Sequence, residues 1–311
     1  MNIFYHLRPY CYIFLALVFV SCIKEDLEIC LPQTIRVAFT FVRSVDCQEE
    51  ITASEDINRL TVFVFDENGL FVQQVDIVPT GNNYQMELSL VPANYQFVAI
   101  AGYEDDQLRG TPFVHGAHLE DAAIAAYLEG GEGYLQSANY ILYKGSDTLT
   151  VIPETTGQEL NLTVIQRTKA MNINVEGLNG VGIDKDFQIA LAGNAAQYTF
   201  MDDQQIFLAG NPSVFVELEP GLDDEAHHLF GRIMLNWPLS GEISTTRLQV
   251  IDPETGYRLV DEDLYELLRR VPNLDPECEN SFDIDFLYTV DLKIKIYINQ
   301  WLVSEDGYEL Q

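Results

Sequence analysis

Hydrophobic residues recur at every second position along much of this chain. Ile35-Arg36-Val37-Ala38-Phe39-Thr40-Phe41 alternates around Val37, Phe39 and Phe41, and the run from Tyr84 to Leu90 alternates through Tyr84, Met86, Leu88 and Leu90. Successive side chains of an extended strand point to opposite faces, so each run offers one apolar face to a core. Asp56 to Phe65 is more continuously apolar and reads as a more deeply buried strand. It ends in Asp66-Glu67-Asn68-Gly69, where Asn-Gly supplies the positive φ of a tight hairpin turn, and Leu70 to Val78 returns as its partner. Val91-Pro92-Ala93-Asn94 is the next turn and Tyr95 to Ala101 the next strand.

The rhythm continues through Tyr140–Tyr143, Asp147–Ile152, Leu160–Ile165, Lys169–Val175, Phe187–Leu191, Gln197–Phe200, Ser213–Leu218, Leu229–Trp237, Thr245–Ile251 and Asp283–Val290, and closes with Leu292–Trp301. Short strands about ten residues apart with turn signals between them predict an all-β fold built as antiparallel sandwiches. In Lys293-Ile294-Lys295-Ile296-Tyr297-Ile298 the isoleucines share one face and the lysines the other, the pattern of a half-buried strand whose lysines guard a sheet edge.

Two stretches depart from period two. Leu119 to Leu128 carries Ala122, Ala123, Ala125 and Ala126 before Gly130-Gly131, which predicts a short helix. Leu264, Leu267, Leu268 and Val271 follow i, i+3, i+4, i+7 spacing; this second helix is expected to be capped by Asp261 and stopped by Pro272.

A length of 311 residues is enough for about two domains. The expected division is a segment 1–21 that is removed, a tether 22–34, one β-sandwich over 35–165 and a second over 166–311. Hydrophobic residues make up 47% of the chain, enough to fill both cores, and the formal net charge of -31 argues against nucleic acid or anionic headgroups as partners, since both need cationic patches. The charge is that of a well-solvated surface protein.

Tyr10 to Val20 is an apolar run behind Arg8. It falls well short of the roughly 20 residues a spanning helix needs and matches a signal-peptide core. Directly after it come Ser21-Cys22, a small residue before a cysteine, which is the form of a bacterial lipoprotein cleavage site. Lys24-Glu25-Asp26 follows and looks like the signal that exports lipoproteins of Bacteroidetes to the outer face of the outer membrane. The expected product is acylated at Cys22, anchored to the membrane and not spanning it.

With Cys11 in the removed segment and Cys22 acylated, Cys30, Cys47 and Cys278 remain. An odd number in an oxidising compartment leaves one thiol over. Cys30 and Cys47 flank a strand whose ends lie roughly 30 Å apart, whereas a disulfide needs Cα atoms within about 7 Å; that pair closes only if a flanking loop folds back. Cys30–Cys278 would tie the two ends of the chain together. The pairing stays open at this level.

Catalytic patterns are missing: there is no phosphate loop, no Gly-x-Ser-x-Gly elbow and no HExxH helix. Gly180-Val181-Gly182 lacks the third glycine and following helix of a dinucleotide site. His115-x-x-His118 has no evident third metal ligand, and His227-His228 would face opposite ways on a strand. Asp105-Asp106 and Asp202-Asp203 read as solvated turn ends. Asp147-Thr148-Leu149 resembles the Asp-Ser/Thr-aliphatic motif of Bacteroidetes O-glycosylation at Thr148, but three loosely specified positions are a weak signal and a plain strand start accounts for them better. No cofactor, metal or enzymatic activity is expected.

Cys22-Ile23-Lys24-Glu25-Asp26-Leu27-Glu28-Ile29-Cys30 resembles the start of the fimbrial anchor-subunit family of Bacteroidales type V pili, the minor fimbrillin lipoproteins. Leu60 to Asp66 with Gly69, the stretch Leu90 to Ala101, and Ile296-Tyr297-Ile298-Asn299-Gln300-Trp301 agree with it in order and spacing. Pro92-Ala93-Asn94 departs from the usual turn. The resemblance implies two tandem transthyretin-like β-sandwich domains with one or two short helices, a lipid anchor, and a place at the pilus base. Its partner would be a fimbrillin stalk subunit, gripped by strand addition at a sheet edge, with Ile35–Phe41 and Lys293–Ile298 as the candidate edges. The alternative is a surface glycan-binding lipoprotein of a nutrient-uptake system. That reading needs exposed aromatic platforms, and Trp237 and Trp301 are expected to be packed in the core.

Overall fold

The computed structural model describes residues 31–45, 48–51, 57, 59–77, 84–103, 108–109, 116–125, 127–129, 135–137, 141–155, 157–176, 188–193, 197–201, 205–206, 214–216, 218–220, 229–236, 246–252, 255–289 and 293–307. The first half supplies β1 (Gln33–Val45), β2 (Gln48–Ile51), β3 (Leu60–Asp66), β4 (Phe71–Ile77), β5 (Gln85–Leu90), β6 (Asn94–Ala101), β7 (Leu108–Arg109), β8 (Ala123–Ala125), β9 (Tyr127–Glu129), β10 (Leu135–Ser137), β11 (Tyr143–Thr150) and β12 (Gln158–Gln166). The second supplies β13 (Thr168–Glu176), β14 (Gln188–Ala192), β15 (Gln197–Thr199), β16 (Gln205–Ile206), β17 (Val214–Phe215), β18 (Leu218–Pro220), β19 (Leu229–Asn236), β20 (Arg247–Ile251), β21 (Arg258–Asp263), helix α1 (Leu264–Arg269), β22 (Ser281–Tyr288), β23 (Lys293–Ile298) and β24 (Trp301–Gly307). The all-β expectation holds.

The first sheet runs β2-β1-β12-β11-β6-β3-β4, with β5 also on β1. Period two assigns its faces. Ile35, Val37, Phe39 and Phe41 of β1 share one core with Leu88 and Leu90 of β5, Leu60, Val62 and Val64 of β3, and Tyr95, Phe97 and Ala99 of β6. The sheet therefore folds over on itself. The opposite faces of β3 and β6 are covered too: Phe63, Phe65, Val98 and Ile100 pack against Ala122, Ile124 and Phe200. Coverage on both sides explains why β3 is apolar almost throughout. One register row crosses seven strands through Ile51, Val42, Ile165, Lys144, Ile100, Thr61 and Asp76. It passes from exposed Ile51, through buried Lys144, to a polar end at Asp76. Lys144 escapes an unpaired burial because its Nζ donates to Thr199 O at 2.8 Å.

The other two large sheets, β21-β20-β14-β17-β10-β9 and β18-β19-β13-β22-β23-β24, face each other around a core of Met171, Ile173, Leu191, Ile233, Leu248, Phe282, Ile284, Phe286, Ile294 and Ile296. Helix α1 adds Leu264, Leu267 and Leu268, with Val271 just beyond it, in the spacing expected. Its cap is Asp263, which accepts from Glu266 N at 3.0 Å, and not Asp261. Asp261 sits in β21 and is taken by Arg247, Gln249 and Arg258.

The two halves of the sequence meet in hydrogen-bonded sheets. β8 pairs with β15, and β10 runs parallel to β17. The predicted helix Leu119–Leu128 is therefore not a helix. Leu119–Asp121 forms a single 3-10 turn, and the chain then extends as β8 and β9. Ala122, Ala123, Ile124 and Ala125 are all buried there; alanine propensity yields to sheet pairing and packing.

The crossing between the halves is short and well tied. Arg167 N donates to Leu142 O at 2.8 Å, and Leu142 N donates to Thr168 Oγ1 at 2.9 Å. Two glycines permit close backbone approaches near it. A Cβ on Gly145 would lie 2.1 Å from Thr163 O, and one on Gly102, at φ +72°, would lie 1.9 Å from Ile141 O.

Three further expectations are revised. Of the expected strands Tyr140–Tyr143 and Asp147–Ile152, Tyr143 and Asp147–Thr150 lie in one continuous strand, β11. Leu292–Trp301 divides into β23 and β24 at a turn where Asn299 and Gln300 take φ of 47° and 70°. At the β3–β4 turn only Gly69 is left-handed (φ 75°); Asn68 is not, and Asp66 Oδ1 accepts from both Asn68 N and Leu70 N.

Candidate docking edges

A strand can add only where a sheet ends, so the functional question is which strands lack a neighbour. The two edges expected from sequence are not edges. Ile35–Phe41 lies inside β1, which pairs along its length with β12 and, on its other side, with β5 and β2. Lys293–Ile298, as β23, lies between β22 and β24. Alternation reports which face a side chain takes, and an internal strand with one wet face alternates as an edge strand does.

Among the described residues, the two longest strands that end sheets are β4 and β24; β5 and β21, of six residues each, also pair on one side. The first is β4, paired with β3 on one side only. Val72, Gln74 and Asp76 are exposed, while Val75 and Ile77 are partly buried and pack at the flank of the first core. Asp76 is its single charge. At its end Thr61 Oγ1 donates to Asp76 Oδ1 (2.5 Å), Tyr103 OH donates to Thr61 Oγ1 (2.7 Å), and Arg59 pairs with Asp76 at 3.3 Å while lying 5.0 Å from the Tyr103 ring centroid. This cluster holds β4 against β3 from the polar face; the outer backbone edge is taken at its start, where Phe71 N donates to Ala117 O at 2.7 Å, and has no neighbouring strand beyond that among the described residues.

The second is β24, and it is guarded. A bulge against β23 turns Val303 into the core, and Arg270 Nη1 donates to Val303 O at 2.8 Å. Glu305 pairs with Lys293 at 2.7 Å. Bulges and charges of this kind turn an edge away from pairing. At its start Trp301 is 53% exposed and Leu302 49%, which corrects the expectation that Trp301 is packed away. Trp237 lies outside the described residues.

A shallow groove of about 440 Å³ opens at the start of β1 between Pro32, Arg36, Glu87, Gly157 and Glu159. Arg36 stands opposite both glutamates in register and approaches Glu87 at 3.9 Å. One solvated arginine between two carboxylates offers a weak, screened ion pair and no nucleophile with a base.

Lys169 is the most perturbed cation described. Its Nζ donates to Pro276 O (2.7 Å), Glu277 O (2.9 Å) and Glu279 O (2.5 Å). Burial lowers its pKa to about 8, against the opposing pull of Glu277, Glu279 and Asp275. Sequence reading passed over it, although Lys169 has the same parity as Met171, Ile173 and Val175, and that parity is a signal. For Asp261, burial pushes the carboxyl up but the hydrogen bonds from Arg247 and Gln249 prevail and hold it below the ordinary range. Burial and the nearby Asp66 raise the Tyr95 phenol, which donates to Val91 O at 3.0 Å.

The remaining sequence candidates are scattered. Thr148 is exposed in β11, its N–H taken by Asp147 Oδ1 at 2.7 Å. His118 is exposed and bridges Leu70. Cys278 is disulfide-bonded. Cys22, Lys24, Glu25, Asp26, Cys30, Cys47, His115, Asp105, Asp106, Asp202, Asp203, Gly180, Gly182, His227 and His228 lie outside the described residues. Among the described residues, no three His, Cys, Asp or Glu side chains are grouped to hold a metal, and no helix is long and apolar enough to cross a membrane.

An all-β fold with open and guarded edges and no described catalytic grouping is the form of an assembly subunit. The chain belongs to the family of Fimbrillin-A associated anchor proteins Mfa1 and Mfa2, whose profile matches residues 27–307. It is a family of fimbrial structural proteins at the cell surface, not of enzymes. The fold is shared with the fimbrial anchor protein Mfa2 from Porphyromonas gingivalis (TM-score 0.63, 17% identity, covering 89% of this chain and 100% of that one). It is also shared with a candidate adhesin from Bacteroides ovatus (0.67, 16%, 87% and 95%) and with a candidate polysaccharide-binding protein from Bacteroides thetaiotaomicron VPI-5482 (0.64, 17%, 90% and 98%). No curated protein sequence matches the chain.

Proposed function

We propose that this protein is a lipid-anchored subunit, acylated at Cys22 and carried to the outer surface by Lys24-Glu25-Asp26, that holds a fimbria at the outer membrane. The fimbrial subunit it grips adds an extended strand to β4. The observation that carries this is a β4 edge with no neighbouring strand past Phe71 among the described residues, together with the half-buried Val75 and Ile77. Alternate side chains of an added strand would complete the burial of those two residues, while its backbone pairs with the outward N–H and C=O groups of β4 past Phe71, whose own N–H is held by Ala117 O. The sandwich bodies over 35–165 and 166–311, with β1 already under way at Gln33, serve as the mount.

The test places lysine on the exposed side chains of this edge, Val72→Lys with Gln74→Lys, and scores fimbriae on cells and in the medium. Fimbriae should be shed while the variant remains folded and membrane-bound; retention at the normal level removes β4 from the proposal. Separately, Cys22→Ser should release the protein from the outer-membrane fraction.

One observation favours the second reading, surface glycan binding: the exposed indole of Trp301. The Bacteroides thetaiotaomicron structure of the same fold, described as a candidate polysaccharide-binding protein, is in keeping with it. A Trp301→Ala variant that loses glycan-array binding but keeps its fimbriae would favour this reading over the anchor.

A further inference from the structure

We infer that β1 is a tension clamp: drawn out by its amino end, it gives way only when the backbone bonds on both of its sides shear together. The anchoring reading supplies the source of such a pull, but the property belongs to the fold and holds without it.

β1 is held from two sides. On one, Ile35 to Val42 stand in parallel register with Gln158 to Ile165 of β12. On the other, Gln33 to Ala38 stand in antiparallel register with Leu90 to Gln85 of β5, and Val42 to Val45 are taken by β2. Inter-strand hydrogen bonds run across the strands they join. A pull along β1 therefore loads all of them at once, whereas a pull across it opens them one pair at a time.

The connectivity makes tension act in the first way. The chain enters β1 at Gln33 and leaves β12 at Gln166. Because the two strands are parallel, with Ile35 opposite Gln158 and Val42 opposite Ile165, entry and exit lie at opposite ends of the pair. In an antiparallel pair they would lie at one end, and tension would peel the strands apart. The exit is fastened as well, by the bonds from Arg167 N to Leu142 O and from Leu142 N to Thr168 Oγ1. One residue after β12 the tension enters β13, which is again internal to its sheet, between β19 and β22, and parallel to β22 from Ala170–Ser281 to Glu176–Leu287.

The side chains prevent creep. Ile35, Val37, Phe39 and Phe41 are buried, and the Phe41 ring lies 4.7 Å from that of Tyr84 and 5.6 Å from that of Tyr143 between centroids. A slip of one residue would turn Arg36, Ala38 and Thr40 into that core and the four apolar residues out of it. The strand therefore yields as a whole or not at all.

The experiment is single-molecule stretching of the full chain in reducing buffer, so that every residue can extend. One handle sits at the amino end. The other sits either at the carboxyl end or at Gly157, in the turn before β12, where a built Cβ has nothing within 4 Å. The first geometry draws β1 lengthwise; the second parts Ile35 from Gln158 crosswise and opens the same register pairs in turn. The largest rupture force is expected to be several-fold higher in the first geometry, because forced unfolding follows the barrier met along the pull. That rupture should release residues 33–166, roughly 440 Å or more of extended chain. If a handle at Gly157 disturbs folding, Ala93 gives the same crosswise geometry against β5, since Leu90 stands opposite Gln33. Equal forces in the two geometries, or a largest rupture that leaves residues 33–166 folded, overturn the inference, and either result leaves the attachment of fimbriae to cells untouched.

Discussion

Asn299 and Asp283 exchange two hydrogen bonds: Asn299 N donates to Asp283 O at 2.8 Å, and Asp283 N donates to Asn299 Oδ1 at 3.0 Å. This pairing ties the β23–β24 turn to the first residues of β22. It also holds two non-glycine residues, Asn299 and Gln300, in the left-handed region. Asn299→Ala should destabilise by about 1–3 kcal/mol, losing the side-chain bond and adding the left-handed penalty. Gln300→Gly should be neutral or stabilise by up to about 1 kcal/mol. Urea unfolding of the two variants beside the parent checks both signs.

The Lys169 ammonium makes stability rise with alkaline pH. Its folded pKa of about 8 lies below the ordinary 10.5. Below pH 8 both states keep the proton and the burial of charge opposes folding throughout. Between pH 8 and 10.5 the unfolded chain binds more protons than the folded one, so the slope of unfolding free energy with pH is positive. Integrated from pH 7 to pH 10 with these two values, the gain is on the order of 2 kcal/mol. The difference in unfolding free energy between the parent and Lys169→Met should widen in favour of the parent by that amount from pH 7 to pH 10. A difference that stays flat would contradict the shift.

Gly145 has no room for a side chain, whereas Gly116, also in the first half, has nothing within 4 Å of a built Cβ although its φ is +94°. Gly145→Ala is expected to destabilise by more than about 3 kcal/mol, because backbone at Thr163 would have to move. Gly116→Ala should cost about 1 kcal/mol from its backbone conformation alone. Thermal melts of the two variants separate close approach from φ.

Asp263→Ala removes the α1 cap and should cost about 1 kcal/mol, whereas the same change at Asp261 leaves Arg247 and Gln249 without their shared acceptor. If Asp261→Ala alters the helix and Asp263→Ala does not, measured by amide exchange over 264–269, the capping assignment is reversed.

Much of the strand order was legible because period two survives in β1, β5, β12 and β22, and the helical spacing of Leu264, Leu267, Leu268 and Val271 is unmistakable. Pairing was not legible. Nothing in Ile35–Phe41 or Lys293–Ile298 says whether a second neighbour lies alongside, since hydrogen-bonding edges carry no side-chain period. The Asn299–Gln300 turn was hidden because neither residue is glycine and their left-handed conformation depends on Asp283, distant in sequence. Ala122–Ala125 misled for the converse reason: local preference was read without Phe200 and β15, which claim the segment from far along the chain. The proposed docking edge β4 was recognised as a strand, but its having β3 as its single neighbouring strand among the described residues is a property of the sheet and not of the strand.

The parallel run of β1 beside β12 also sets a distance. The thirteen residues of β1 rise roughly 40 Å from Gln33 to the level where β13 departs. A lipid at the near end would leave β13 and the strands around it held off the bilayer by a rigid spacer of that length. Whatever those strands engage can then be reached without the partner contacting the headgroups, and shortening β1 by one register pair on each strand would lower the whole upper body by a fixed step.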